Sequence, residues 1–110
     1  MSLIKFLSVI DQLIDEVYDV IPDVQEDIAI FKYKYEMMKK INPKMIPQLF
    51  QKYVLPFKKE ILNKDETFFL QKDYNEFNIF KTIYTNVKNE QVKKTIWKYF
   101  QVLIILCVNI

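Results

Sequence analysis

Residues 89–108 read NEQVKKTIWKYFQVLIILCV, and this stretch decides the fold. Val92, Ile96, Tyr99, Leu103 and Leu106 recur at intervals of 4, 3, 4 and 3, the period of one face of an α-helix. A second row, Ile96-Trp97, Phe100, Ile104 and Cys107, runs beside the first. Between Tyr99 and Val108 only Gln101 is polar. A helix that is apolar nearly all round belongs at the centre of a bundle, so the stretch predicts a buried C-terminal helix. Docking into a partner's groove and lying in a membrane interface are the competing uses of such a helix. Asn89 is the expected N-cap, because its side chain can accept from a free amide of the first turn.

The same period recurs upstream. Leu3, Leu7, Ile10, Ile14, Val17 and Ile21 are spaced 4-3-4-3-4 and predict a helix from Ser2, as N-cap, to Ile21, stopped by Pro22. Val24, Ile28, Phe31, Tyr35 and Met38 predict a second helix, opened by Asp23 with Glu26 as a capping box and ended by Asn42-Pro43. Residues 29–37 also alternate like a strand, but the helical period is longer and has a cap. Pro47 suits the first turn of a third helix holding Leu49, Phe50, Tyr53 and Val54. Pro56 breaks or kinks it, since an interior proline lacks a donor and clashes one turn back. Phe57, Ile61 and Leu62 continue beyond. Lys64-Asp65 marks a turn, and Asp65 caps a short helix holding Phe68, Phe69 and Leu70. After a connection at Lys72-Asp73-Tyr74-Asn75, a helix from about Glu76 carries Phe77, Ile79, Phe80, Ile83, Tyr84 and Val87. The expectation is one all-α domain over residues 1–110, a compact bundle of five to six helices closed by a buried apolar C-terminal helix.

Composition narrows the chemistry. The 110 residues include no glycine, no histidine and no arginine. A phosphate-binding loop or a nucleophile elbow needs glycine, so that backbone can approach the ligand. Histidine-based acid–base, triad or metal chemistry is excluded outright. Cys107 is the one cysteine, which rules out an internal disulfide, and its apolar surroundings suit a core residue better than a nucleophile. Adjacent Asp65 and Glu66 fit capping and dipole roles better than catalysis. No enzyme, cofactor or metal site is expected.

Charge is unevenly spread. Residues 1–30 carry one lysine and seven acids, residues 31–64 nine lysines and two acids, and the remainder six and five. Asp11, Asp15 and Asp19 form an acidic ridge that either meets lysines of the next helix or faces a partner. Lys32, Tyr33, Lys34, Tyr35, Lys39 and Lys40 interleave cations and aromatics as single-stranded nucleic-acid sites do, which makes weak nucleic-acid binding the alternative function. The bland reading turns the rings inward and lays lysine stems over the surface. Absence of arginine counts against base-specific recognition. Neither a signal peptide nor a membrane span is legible, so an intracellular chain is expected.

Phe, Tyr, Met, Ile, Asn and Lys make up more than half of the chain, while alanine occurs once, at Ala29. The favoured residues have A/T-rich codons, which points to an A/T-biased genome. Tyr53-Val54-Leu55-Pro56-Phe57, followed by Asp65-Glu66-Thr67-Phe68-Phe69-Leu70, and then Thr95-Ile96-Trp97-Lys98-Tyr99-Phe100-Gln101-Val102-Leu103, resemble a class of small helical proteins of unassigned function in nucleocytoplasmic large DNA viruses. The resemblance covers about residues 49–106 and carries no catalytic residues. It implies a viral origin, with host cytoplasm or virion as the setting. Taken with the missing catalytic chemistry, this makes a non-enzymatic structural or interaction protein, a virion or assembly component, the expected function. Protein partners, including a second copy of the chain, would meet Trp97, Tyr99, Phe100 and Leu103, the candidate anchors.

Overall fold

The computed structural model describes residues 2–70, 77–108 and 110. Among them are seven α-helices: α1 (Ser2–Val20), α2 (Gln25–Ile41), α3 (Met45–Tyr53), α4 (Lys58–Leu62), α5 (Thr67–Leu70), α6 (Asn78–Asn86) and α7 (Glu90–Cys107). Two 3₁₀ turns, Pro22–Val24 and Leu55–Phe57, join the neighbouring helices, and the described residues contain no strand. The radius of gyration is 13.1 Å, matching the ~13 Å of a compact chain of this length.

The architecture is a ring of four helices. α1 packs on α2, α2 on α6, α6 on α7, and α7 back on α1. α3 covers α1, α2 and α7, while α4 lies on α7 and α5 on α6. Asp15 of α1 meets Lys32 of α2, and Asp11 meets Lys39, so these two helices run antiparallel. Val9 and Val102 line one groove, and Val20 lies with Val92 in the next, so α1 and α7 are antiparallel too.

Aromatic rings fill the centre. Phe100 has the rings of Phe50, Phe68, Phe69 and Phe80 within 5.7–6.0 Å. Phe50 also sits edge-on to Phe6 at 5.4 Å and to Phe77 at 5.3 Å. Tilted and edge-on pairs of this kind are each worth about 0.5–1.5 kcal/mol beyond the area they bury. Lys81 is buried beside them, its ammonium 4.4 Å from the centroid of Phe68 and 5.6 Å from that of Phe57.

Several sequence expectations are refined. The strand pattern of residues 29–37 lies wholly in helix α2, whose Ile28, Phe31 and Tyr35 are buried and Met38 half-buried. In α1 the buried face is Phe6, Ile10, Leu13, Ile14 and Val17, with Leu7 only half-buried. Pro22 opens a 3₁₀ turn that runs straight into α2, so Asp23 sits inside the turn, and among the described residues its side chain makes no cap hydrogen bond. The cap side chain of Ser2, the Lys72-Asp73-Tyr74-Asn75 connection and a helix start at Glu76 lie outside the described residues. The helix count exceeds five to six because Pro56 does more than kink one helix. It sits in a 3₁₀ turn that ends α3 and lets α4 begin as a separate element.

Two ends are built as the sequence leads one to expect. Asn89 Oδ1 accepts from the Gln91 amide at 2.9 Å and caps α7. Asp65 Oδ1 accepts from the Thr67 amide at 3.0 Å and from the Thr67 hydroxyl at 2.8 Å. These bonds hold the Asp65 carboxyl below its usual range. One end is unexpected. α4 closes with Lys64 in the left-handed region, φ 54°. The Lys64 amide donates to Ile61 at 3.2 Å and the Asp65 amide to Glu60 at 2.8 Å, the bond pair of a Schellman cap. Glycine normally takes that position, and this chain has none.

Candidate functional site

α7 is where the sequence places its candidate anchors, and it proves two-faced. Its inner face, Val92, Ile96, Trp97, Phe100, Leu103, Ile104 and Cys107, is buried against α1, α3, α4 and α6. Trp97 is 5 % exposed. Its Nε1–H donates to the Tyr84 hydroxyl at 3.0 Å, and that hydroxyl donates to Glu66 Oε1 at 2.8 Å. Phe69 stacks on Tyr84 with centroids 4.1 Å apart and meets Trp97 edge-on at 4.6 Å. Trp97, Phe100 and Leu103 therefore lie in the core of this chain rather than on its surface. Tyr99 is half-buried and lines an open groove of about 350 Å³ between α1 and α7, with Glu16, Lys98 and Val102. Burial, a hydrogen bond to Glu16 and the charge of Glu16 push the Tyr99 phenol up to about 12.

The outer face of α7 differs from the all-round burial that its composition suggests. Lys94, Lys98, Val102 and Ile105 follow one another along it, and all four are exposed. Ile105 is 58 % exposed, and Val108 lies open just beyond the helix. This face reads cationic at its start and apolar at its end. Gln101 turns aside to donate to the carbonyl of Ile61 at 3.1 Å, which ties α4 down and leaves the row uncovered.

The lysine–tyrosine set of α2 is split by the fold. Tyr35 is buried, with its hydroxyl donating to the Leu7 carbonyl at 3.1 Å. Burial, with Asp11 beside it, raises the Tyr35 phenol far above its usual range. Lys32 meets Asp15 at 3.8 Å, and Lys39 meets Asp11 at 3.5 Å and Glu36 at 3.3 Å while lying over the Tyr35 ring. Two carboxylates of the acidic ridge are thus answered within the chain. Tyr33, Lys34 and Lys40 are exposed on other sides of α2, without an ion pair among the described residues.

Cys107 is buried and burial pushes its thiol up to about 11, opposite to what a nucleophile needs. Asp65 and Glu66 have separate duties, one capping α5 and the other accepting from Tyr84. Among the described residues no cluster of three metal-ligating side chains occurs, and no helix is long and apolar enough to cross a membrane.

Two features escaped the sequence reading. The bonded chain from Trp97 through Tyr84 to Glu66 joins two helices and the turn before α5 and leaves no local signal. The outer apolar rows do leave one: Val102 and Ile105 on α7, and Ile30, Tyr33, Met37 and Ile41 on α2, recur at helical intervals beside the inner stripes. Set against protein families, curated proteins and solved structures, the chain matches none.

Proposed function

We propose that the protein is a non-enzymatic interaction or structural component that works through helix-mediated protein–protein contacts. The observation that carries this reading is the open apolar end of α7, Val102, Ile105 and Val108, on a helix whose other face is core. The occupant that fits is an amphipathic segment with acids level with Lys94 and Lys98 and apolar side chains level with Val102 and Ile105. Covering the exposed parts of Val102 and Ile105 would contribute about 1–2 kcal/mol. The lysines would set orientation and encounter rate more than affinity. A role as a virion or assembly component belongs to this proposal, and the viral setting rests on the sequence motifs alone.

A photo-crosslinking residue at position 105, compared with one at position 94, tests the reading in cells that make the protein. The expected result is a discrete protein adduct at 105 that disappears when Val102→Asp is added. Adducts that are equally diffuse at both positions refute it. Weak nucleic-acid binding is the second reading, favoured by exposed Tyr33 beside exposed Lys34 and Lys40. It is dropped if a salt titration finds no measurable association with single- or double-stranded nucleic acid at low salt.

A further inference from the structure

α2 carries a second apolar row on the side away from the core. Ile30, Tyr33, Met37 and Ile41 are 51 %, 69 %, 44 % and 75 % exposed. At 3.6 residues per turn they fall, with Glu26 and Lys40, within an arc of about 100°. Lys44 follows just beyond the helix end, and small Ala29 sits at the edge of the row. Positions 26, 30, 33, 37, 40 and 44 are spaced 4-3-4-3-4, a series that reads the same in both directions. Its charges do not: Glu26, with Asp27 beside it, stands at the start, and Lys40 and Lys44 stand at the end. None of these four forms an ion pair among the described residues.

A row that is acidic at one end, apolar in the middle and basic at the other is complementary to itself run backwards. From this we infer that the outer face of α2 is a homodimer interface, in which two copies pack α2 against α2 antiparallel about a two-fold axis level with Tyr35. Glu26 then faces Lys44 of the second copy, Tyr33 faces its Met37, and Ile41 packs over its Ala29. Every contact is made twice, as a two-fold interface requires. Antiparallel packing also sets opposite ends of the two helix dipoles side by side. Tyrosine and methionine are residue types favoured in interface centres. An anionic bilayer or a nucleic-acid backbone fits less well, because Glu26 and Asp27 would repel it at one end of the row. This face is separate from the α7 row, so the inference stands independently of the proposed function.

A helix of 17 residues is about 25 Å long. A single helix pair of that length lies at the small end of specific interfaces, so the dimer is weak and concentration-dependent. Sedimentation equilibrium of the full chain from about 10 μM to about 1 mM tests it. The expected result is a mass rising from 13.4 kDa towards twice that value. Met37→Glu, at an exposed position that leaves the core alone, should raise the dissociation constant about tenfold or more. Circular dichroism checks that the variant is folded. Reversing the basic end with Lys40→Glu and Lys44→Glu should separate the copies, and adding Glu26→Lys and Asp27→Lys should bring them back. A wild-type chain that stays monomeric at about 1 mM overturns the inference, whether or not it co-sediments with phosphatidylserine vesicles. Dimers lost through Ile105→Glu but kept through Met37→Glu would place the interface on α7 and also overturn it.

Discussion

Replacing Tyr84 by phenylalanine removes one oxygen from the centre of a three-residue chain and leaves every ring in place. That oxygen accepts from Trp97 Nε1 at 3.0 Å and donates to Glu66 at 2.8 Å. Both aromatic side chains are buried, so in Tyr84→Phe the indole N–H is left without this acceptor and without water. An unsatisfied buried donor costs about 1–3 kcal/mol. The lost bond to Glu66 adds less, because that carboxylate is exposed and finds water instead. The expected destabilisation is about 2 kcal/mol. With an m-value of about 1–1.5 kcal/mol/M in urea for a chain of this size, the midpoint falls by about 1.3–2 M. Far-UV circular dichroism is the suitable signal, because Trp97 fluorescence changes with its own environment. A cycle with Trp97→Phe isolates the bond from the smaller ring's packing defect, and the coupling should reach about 1 kcal/mol. Glu66→Gln keeps an acceptor and should cost under ~0.5 kcal/mol. A Tyr84→Phe midpoint within ~0.3 M of wild type, or a coupling near zero, would refute the assignment of a structural role to this chain of bonds.

Alkaline pH should unfold the protein through its tyrosines. Tyr84 and Tyr99 are raised from 10.0 to about 12, chiefly by burial, and Tyr35 moves the same way. A folded-state value above the unfolded one contributes stability that is complete below about pH 10 and is lost as pH climbs towards about 12. Urea midpoints measured from pH 7 to 11.5 should therefore be level to about pH 9 and then decline, less steeply in Tyr84→Phe; equal stability at pH 8 and 11.5 contradicts this. Lys64→Gly should stabilise the chain by about 0.5–1 kcal/mol, since it removes a Cβ from a left-handed position at some cost in unfolded-state entropy. Lys64→Ala, which keeps the Cβ, should give no gain, and a glycine variant no more stable than the alanine one shows that φ 54° is not strained.

What could be read in advance was whatever repeats locally. The 4-3 spacing located α1, α2 and α7, Asn89 and Asp65 identified themselves as caps, and Pro56 announced an interruption. Two things could not be read. An aromatic-rich helix looks alike whether Trp97 and Phe100 meet a partner or the chain's own Phe69 and Phe50, since both settings bury rings. Only the tertiary fold, which brings Phe69 and Tyr84 against Trp97 and Phe50 against Phe100, decides between them. Likewise, assigning each apolar residue to the strongest stripe hides a weaker one: Ile30, Tyr33, Met37 and Ile41 were overshadowed by Ile28, Phe31 and Tyr35. The left-handed turn at Lys64 was illegible for a compositional reason, because a chain without glycine has lost the letter that usually marks such a position.

The antiparallel pairing of α1 with α7 has a bearing on how the chain comes to be folded. Val9 and Val102 share a groove, although roughly ninety residues part them, and closing a loop of that span carries an entropy that no local contact offsets. Phe6, Ile10, Leu13, Ile14 and Val17 are made before α7 and lack a principal neighbour until it is synthesised. During translation that face of α1 is thus a sticky, half-satisfied surface, and the bundle cannot close before α7 emerges. The timing of synthesis, as much as the final packing, would then set how much of this protein reaches its native state.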